Sequence, residues 1–98
     1  MILYLPLKEI WYRLIESGIK LEEYRKITKY WTTRLIQEDG TPKPYTEVQF
    51  TLGYPKADDM SRRMTFKIKG ILIGEGNPDW GATIGEKYYI ISLGPRTL

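Results

Sequence analysis

The sequence contains no cysteine and no histidine. Those two absences remove thiolate nucleophiles, disulfide frameworks, zinc-finger ligand sets and every imidazole acid, base or metal ligand. Any chemistry must run on Lys, Asp, Glu, Ser, Thr, Tyr or backbone groups. Long apolar runs are missing too. The opening stretch, Met1 to Leu7, is apolar, but Lys8, Glu9 and Arg13 interrupt it before a signal-peptide core or membrane span is reached. No membrane attachment is expected, and the missing cysteines fit a reducing, cytoplasmic setting. Internal repeats and low-complexity tracts are also absent. The 98 residues leave room for a single domain, 1–98, and a monomer is expected.

Core material is plentiful. Hydrophobic residues make up 42% of the chain and aromatics 13%, which argues against disorder. The net charge of +3 tilts toward an anionic partner, and it is unevenly spread. Residues 1–37 carry seven basic and four acidic side chains, residues 38–61 two and five, and residues 62–98 six and three. Two basic ends thus flank an acidic middle.

Residues 2–7 are short and apolar and close on Pro6, which predicts a first strand followed by a helix starting near the proline. Leu7, Ile10, Trp11, Leu14 and Ile15 recur at three-and-four spacing, the apolar face of a helix that ends at Ser17-Gly18. Residues 20–26 lack helical periodicity and read as a strand. Alternation sets Leu21, Glu23 and Arg25 against Lys20, Glu22, Tyr24 and Lys26 without deciding which face is inward. Thr28 is an N-cap for a second helix ending near Ile36, with Ile27, Trp31 and Leu35 four apart. A turn-rich loop, 37–44, leads to a strand in which Thr46, Val48, Phe50 and Leu52 alternate with polar residues. A second loop, 53–61, follows. In residues 63–73, Met64, Phe66 and Ile68 point inward and Thr65, Lys67 and Lys69 outward until Gly70 shifts the pattern, which predicts a bulge there. Residues 88–93 form a last apolar strand. Two helices ahead of a strand-rich half predict an α+β domain whose strands curl into a small barrel.

The densest functional signal is residues 20–34, with five basic residues, two acidic ones and three aromatics. Cations for phosphate and flat rings for base stacking are the ingredients of single-strand recognition, although a core Trp31 beside a solvated lysine face has the same composition. Lys67 and Lys69 share one strand face just after Arg62 and Arg63, so they either extend a basic stripe or guard a sheet edge. Gly74-x-Gly76 with Gly81 lacks the following helix that a phosphate loop needs, because Pro78, Asp79 and Trp80 intervene; a turn packing Trp80 over one end of the barrel is expected instead. Glu75 and Asp79 are acids at the barrel mouth, available to Lys20 as salt-bridge partners or general bases. Asp58-Asp59 and Glu22-Glu23 have no metal-site spacing, so no metal and no cofactor are expected.

The segment Ser17-Gly18-Ile19-Lys20-Leu21-Glu22-Glu23-Tyr24-Arg25, placed after an amphipathic helix, resembles the Gly-x-Lys-x-x-Glu-x-Arg motif of the ASCH domain in the PUA-like superfamily. Tyr30-Trp31-x-x-Arg34, the Gly74-to-Gly81 turn and a closing strand ending at Leu93-Gly94 extend the likeness over most of the chain. The resemblance implies a PUA-like barrel of about five to six mostly antiparallel strands flanked by two short helices. It also implies a cleft between barrel and helices, lined by Gly18, Lys20, Glu23 and Arg25, that binds RNA or other nucleic acid. In that reading Lys20, Arg25, Lys26 and Arg34 meet phosphates or base edges, with Lys67 and Lys69 as further cations. Tyr24 or Tyr30 stacks on a base, and Glu23 positions Lys20 and Arg25.

One branch of that family hydrolyses the amide of N4-acetylcytidine through a lysine, a threonine and a glutamate. Lys20 matches the lysine, but Glu23 stands where the threonine would be. The alternative function is therefore a small amidohydrolase on a modified nucleoside, using Lys20 with Glu23 or Glu75. A protein-interaction adaptor presenting Trp11, Trp31 or Trp80 is a third reading.

Overall fold

The structure, a computed structural model, describes residues 1–98. Its elements run β1 (Ile2–Leu7), α1 (Glu9–Glu16), β2 (Glu22–Lys26), α2 (Lys29–Leu35), β3 (Glu47–Leu52), β4 (Arg63–Glu75) and β5 (Lys87–Arg96), with 3₁₀ turns at Met60–Arg62 and Pro78–Trp80. One five-stranded sheet in the order β1-β3-β4-β5-β2 curls into a half-barrel with two helices. This is the expected α+β class. Only β1 and β3 run parallel; the other three pairings are antiparallel. No helix is long and apolar enough to cross a membrane.

The predicted alternation is realised in β3, where Val48 and Phe50 are fully buried. They pack with Leu3 and Leu5 of β1, Met64 and Phe66 of β4, and Ile91 and Leu93 of β5 in one core. Burying each such side chain contributes about 1.5–3 kcal/mol, which makes this layer the main source of stability. Thr28 caps α2 as expected, its hydroxyl accepting from the Trp31 N–H at 3.2 Å.

Several local expectations change. Pro6 does not open α1; it stays within β1 opposite Thr51, and the helix starts at Glu9. A proline is tolerated there because β1 is an edge strand and needs no second ladder of N–H donors. The buried face of α1 is Tyr12 and Ile15, whereas Ile10 is 59% exposed. The predicted stripe is thus rotated, because one side of the helix borders a cleft instead of the core. β2 starts at Glu22, so Lys20 lies ahead of the strand and is not bound by its alternation. Thr65, expected outward, is buried; its hydroxyl accepts from Gln49 Nε2 at 3.2 Å, and its backbone pairs with residues 97–98. The β4 bulge occurs one residue early. Ile68 faces Leu93 and Gly70 faces Ser92, which leaves Lys69 as the extra residue.

Candidate functional site

The sheet does not close on itself. Its two edges, β1 and β2, have no pairing with each other, and a cleft of about 640 Å³ opens alongside them. The end of β1 and the start of α1 supply Pro6, Lys8 and Trp11; β2 and the residue two before it supply Lys20, Glu23, Tyr24, Arg25 and Lys26. Tyr54 follows β3, and Trp80, Gly81, Thr83 and Tyr88 come from the turn between β4 and β5 and from β5 itself.

Lys20 is delivered by the end of α1. Gly18 turns the chain with φ +82°, and the N–H groups of Ile19 and Lys20 both donate to the Leu14 carbonyl. The side chain is 2% exposed, and Nζ donates to the Trp80 carbonyl at 2.6 Å and to Glu23 Oε1 at 3.1 Å. It also lies 5.0 Å from the Trp11 ring centre and 4.8 Å from that of Tyr24, within cation–π range. Burial pulls the Lys20 pKa below its usual value, and the Glu23 carboxylate opposes that fall.

Glu23 is the hinge of the constellation. Its other oxygen, Oε2, accepts from Arg25 Nη2 at 2.8 Å, and the same Nη2 donates to the Pro6 carbonyl at 3.2 Å. Arg25 thus reaches from one open edge of the sheet to the other. Its guanidinium lies 4.8 Å from the Trp31 ring centre, and Nε is buried without a partner.

Tyr24 is fixed from both sides. Its hydroxyl donates to Glu22 Oε1 at 2.7 Å and accepts from the Asn77 N–H at 2.9 Å. Burial is the main cause of a pKa pushed up to about 12, so the phenol is neutral in use. The turn packs closely on these rings. A Cβ at Gly76 would lie 2.8 Å from the Tyr24 ring, and one at Gly81, where φ is +103°, would lie 2.9 Å from the Trp11 ring. Asn77 caps the 3₁₀ turn by accepting from the Asp79 N–H at 2.9 Å, so the glycine-rich stretch forms a turn and opens no helix.

Of the expected site residues, the fold brings Lys20, Glu23, Tyr24, Arg25 and Lys26 to the cleft. Tyr30 and Arg34 fall behind it on α2, where the Arg34 guanidinium lies within 5.6 Å of the Tyr30 and Trp31 ring centres. Lys67 and Lys69 sit exposed on β4 away from the cleft. Glu75 is exposed at the end of β4 and outside the lining, and Gly18 serves only as a turn. Glu23, and neither Glu75 nor Asp79, is the partner of Lys20.

The cleft also contains residues that sequence reasoning did not assign to it. Helical spacing gives Trp11 to the core, and the apolar run of β5 hides Tyr88, whose ring lies 5.7 Å from Tyr24. Lys8 and Tyr54 had no signal beyond being polar or aromatic near a chain turn. Four basic side chains and one acidic one line the opening, so it favours an anion flanked by aromatic surface. No three carboxylates gather into a metal-ligand set. No protein-family model, curated protein or solved structure matches this chain.

Proposed function

We propose that the chain is a nucleic-acid-binding module that takes one unstacked base of a single strand, RNA above all, into the cleft at the open edges of its sheet. The observation that carries this reading is the combination of aromatic walls with four cations and one carboxylate around a space of about 640 Å³. That volume lies within the ~300–1,000 Å³ of small-ligand sites, which suits a single nucleoside. Trp11, Tyr24 and Tyr88 offer stacking faces, and exposed Lys8 and Lys26 meet phosphates at the rim. Lys20 and Arg25 play a different part. Their donors are already engaged with Glu23, Trp80 and Pro6, so they hold the cleft in shape and present the remaining N–H groups to a base edge.

Fluorescence anisotropy of labelled single-stranded RNA, single-stranded DNA and duplex tests the proposal. Single strands bind with affinity that falls steeply with salt, and each of Lys8→Ala and Lys26→Ala flattens the log–log salt slope by about 0.7. Trp11→Ala weakens binding by about 1–3 kcal/mol, the loss of one stacked base. Absence of binding by every polymer at low salt overturns the proposal.

A second reading, an amidohydrolase acting on an N4-acylated cytidine-type nucleoside, draws support from Lys20, whose burial lowers its pKa and so makes the amine a more usable acid, base or nucleophile. Against it, both Glu23 oxygens are held by cations and Glu75 lies outside the cleft. Release of cytidine from N4-acetylcytidine, abolished by Lys20→Met, is the outcome that would favour it.

A further inference from the structure

The strand β4 is thirteen residues long, but β3 accompanies only its first part. Pairing with β3 ends at Lys67, and one further bond runs from the Ile68 N–H to the Thr46 carbonyl. Beyond that point the chain before β3 turns off toward α2, where the Tyr45 hydroxyl donates to the Arg34 carbonyl. Residues 70–75 therefore pair with β5 on one side, with Lys69 standing as the bulged residue just ahead of them, and residues 69–75 have no strand on the other side. They form an internal free edge, separate from the two edges that flank the cleft.

Free edges are normally blunted by proline, by charge along the strand, by a bulge or by short length, and here the bulge at Lys69 stands at one end of the edge. This one has none of these along its middle. Leu72 and Ile73 are neighbours on opposite faces of the strand, and they are 56% and 61% exposed. Gly70 and Gly74 carry no side chain to cover the backbone, a pattern that marks close approach of another chain.

The order of residues along the edge identifies the partner. Lys69-Gly-Ile-Leu-Ile-Gly-Glu75 reads the same from either end in its apolar and glycine positions, with opposite charges at its two termini. We propose that this edge pairs antiparallel with the same edge of a second copy, about a two-fold axis through Leu72. In that register Leu72 meets Leu72 of the partner copy, Ile71 meets Ile73, Gly70 meets Gly74, and Lys69 meets Glu75. Each contact occurs twice, as a two-fold interface requires. Every position finds a complement. Neither Lys69 nor Glu75 has an ion pair within its own chain, so both are free for the partner. Opposite charges facing one another across strands favour this register, and a parallel alignment would set like charges together.

A seven-residue pairing is short beside stable interfaces, which total about 1,200 Å² or more, so the dimer forms reversibly with concentration. The inference is independent of what the cleft binds, and it stands as the alternative to the monomer expected from the sequence.

Sedimentation velocity from about 10 μM to about 500 μM tests it. The wild-type chain shifts from monomer to dimer over that range. Lys69→Glu alone and Glu75→Lys alone remain monomeric, because each sets like charges across the pairing twice. An equimolar mixture of the two variants regains the dimer, since one chain then carries both acids and the other both bases. That rescue cannot come from a misfolded variant. Leu72→Cys, which introduces the one thiol of the chain, cross-links two copies on mild oxidation, while Lys67→Cys does not. A wild-type chain that stays monomeric throughout overturns the proposal, as does a dimer that both charge variants form equally well.

Discussion

Glu23 is the residue on which most of the cleft depends, because it alone neutralises two buried or half-buried cations. Glu23→Gln leaves Lys20 charged with little compensation, and removing one member of a buried ion pair costs about 3–5 kcal/mol. Urea unfolding is expected to show a loss in that range, and a loss below about 1 kcal/mol would mean that water already screens the pair. Tyr24 gives a pH signature. Its phenol is ordinarily near 10 and is held at about 12 in the fold, so the folded state favours the protonated form. That contribution is complete below about pH 10 and is lost as pH rises through about 12. Lys20 acts with the opposite sign, because its lowered pKa lets stability rise with pH toward the ordinary lysine value. The urea midpoint of the wild-type chain should therefore fall between about pH 10 and about pH 12, and Tyr24→Phe should flatten that fall. The residues themselves were partly legible in the sequence. Lys20, Glu23 and Arg25 stood out as a spaced motif, but alternation set Lys20 against Glu23. It failed because Lys20 precedes the strand, where a side chain is aimed by the helix end and not by the pleat.

Among the elements, the turn between β4 and β5 is the one whose small residues are dictated by the cleft. At Gly76 an added Cβ would come within 2.7 Å of Ala82 and 2.8 Å of the Tyr24 ring. Gly76→Ala should cost about 1–3 kcal/mol as an overpacked contact, and it should push Tyr24 into the space where a base would lie. Differential scanning calorimetry and the anisotropy assay should therefore report losses together; a stability loss with unchanged binding would separate Tyr24 from the ligand site. Gly53, by contrast, has open space around its missing Cβ, so its place in the lining rests on its left-handed backbone alone. Periodicity was sufficient for β3 and the inward half of β4, since each has one face on the core, whereas of the expected α2 stripe only Leu35 is buried and Ile27, ahead of the helix, is exposed. It was insufficient for α1 and β2, which face the core on one side and the cleft on the other. An amphipathic pattern does not distinguish an aromatic ring in a core from one in a cleft, and Trp11 shows the ambiguity directly.

At the scale of the molecule, the strand order explains both what is open and what is held. The curled sheet was foreseeable from the succession of short strands, yet the order β1-β3-β4-β5-β2 was not, because pairing of β2 with β5 joins residues far apart in the chain, from Lys26 with Tyr88 to Glu22 with Ser92. Nothing local in residues 20–26 points to residues 87–96. β5 is the only sheet partner of β2, which has a consequence for the time course of synthesis. β1, α1, β3 and β4 are translated before β5, and they can pack together while β2 is still without a neighbour. Lys20, Glu23 and Arg25 therefore take up their places only when the ten-residue β5 has emerged and docked. In pulse-labelled hydrogen exchange the amides of Glu23 and Arg25, which alternation turns toward β5, should gain protection no earlier than those of Tyr89 and Ile91, and earlier protection would rule out this order. A chain cut off before residue 87 would retain most of its basic charge, yet it would have no cleft. A fragment lacking β5 is thus the natural negative control for the proposed strand binding, since it keeps the cations and loses the partner that sets them in place.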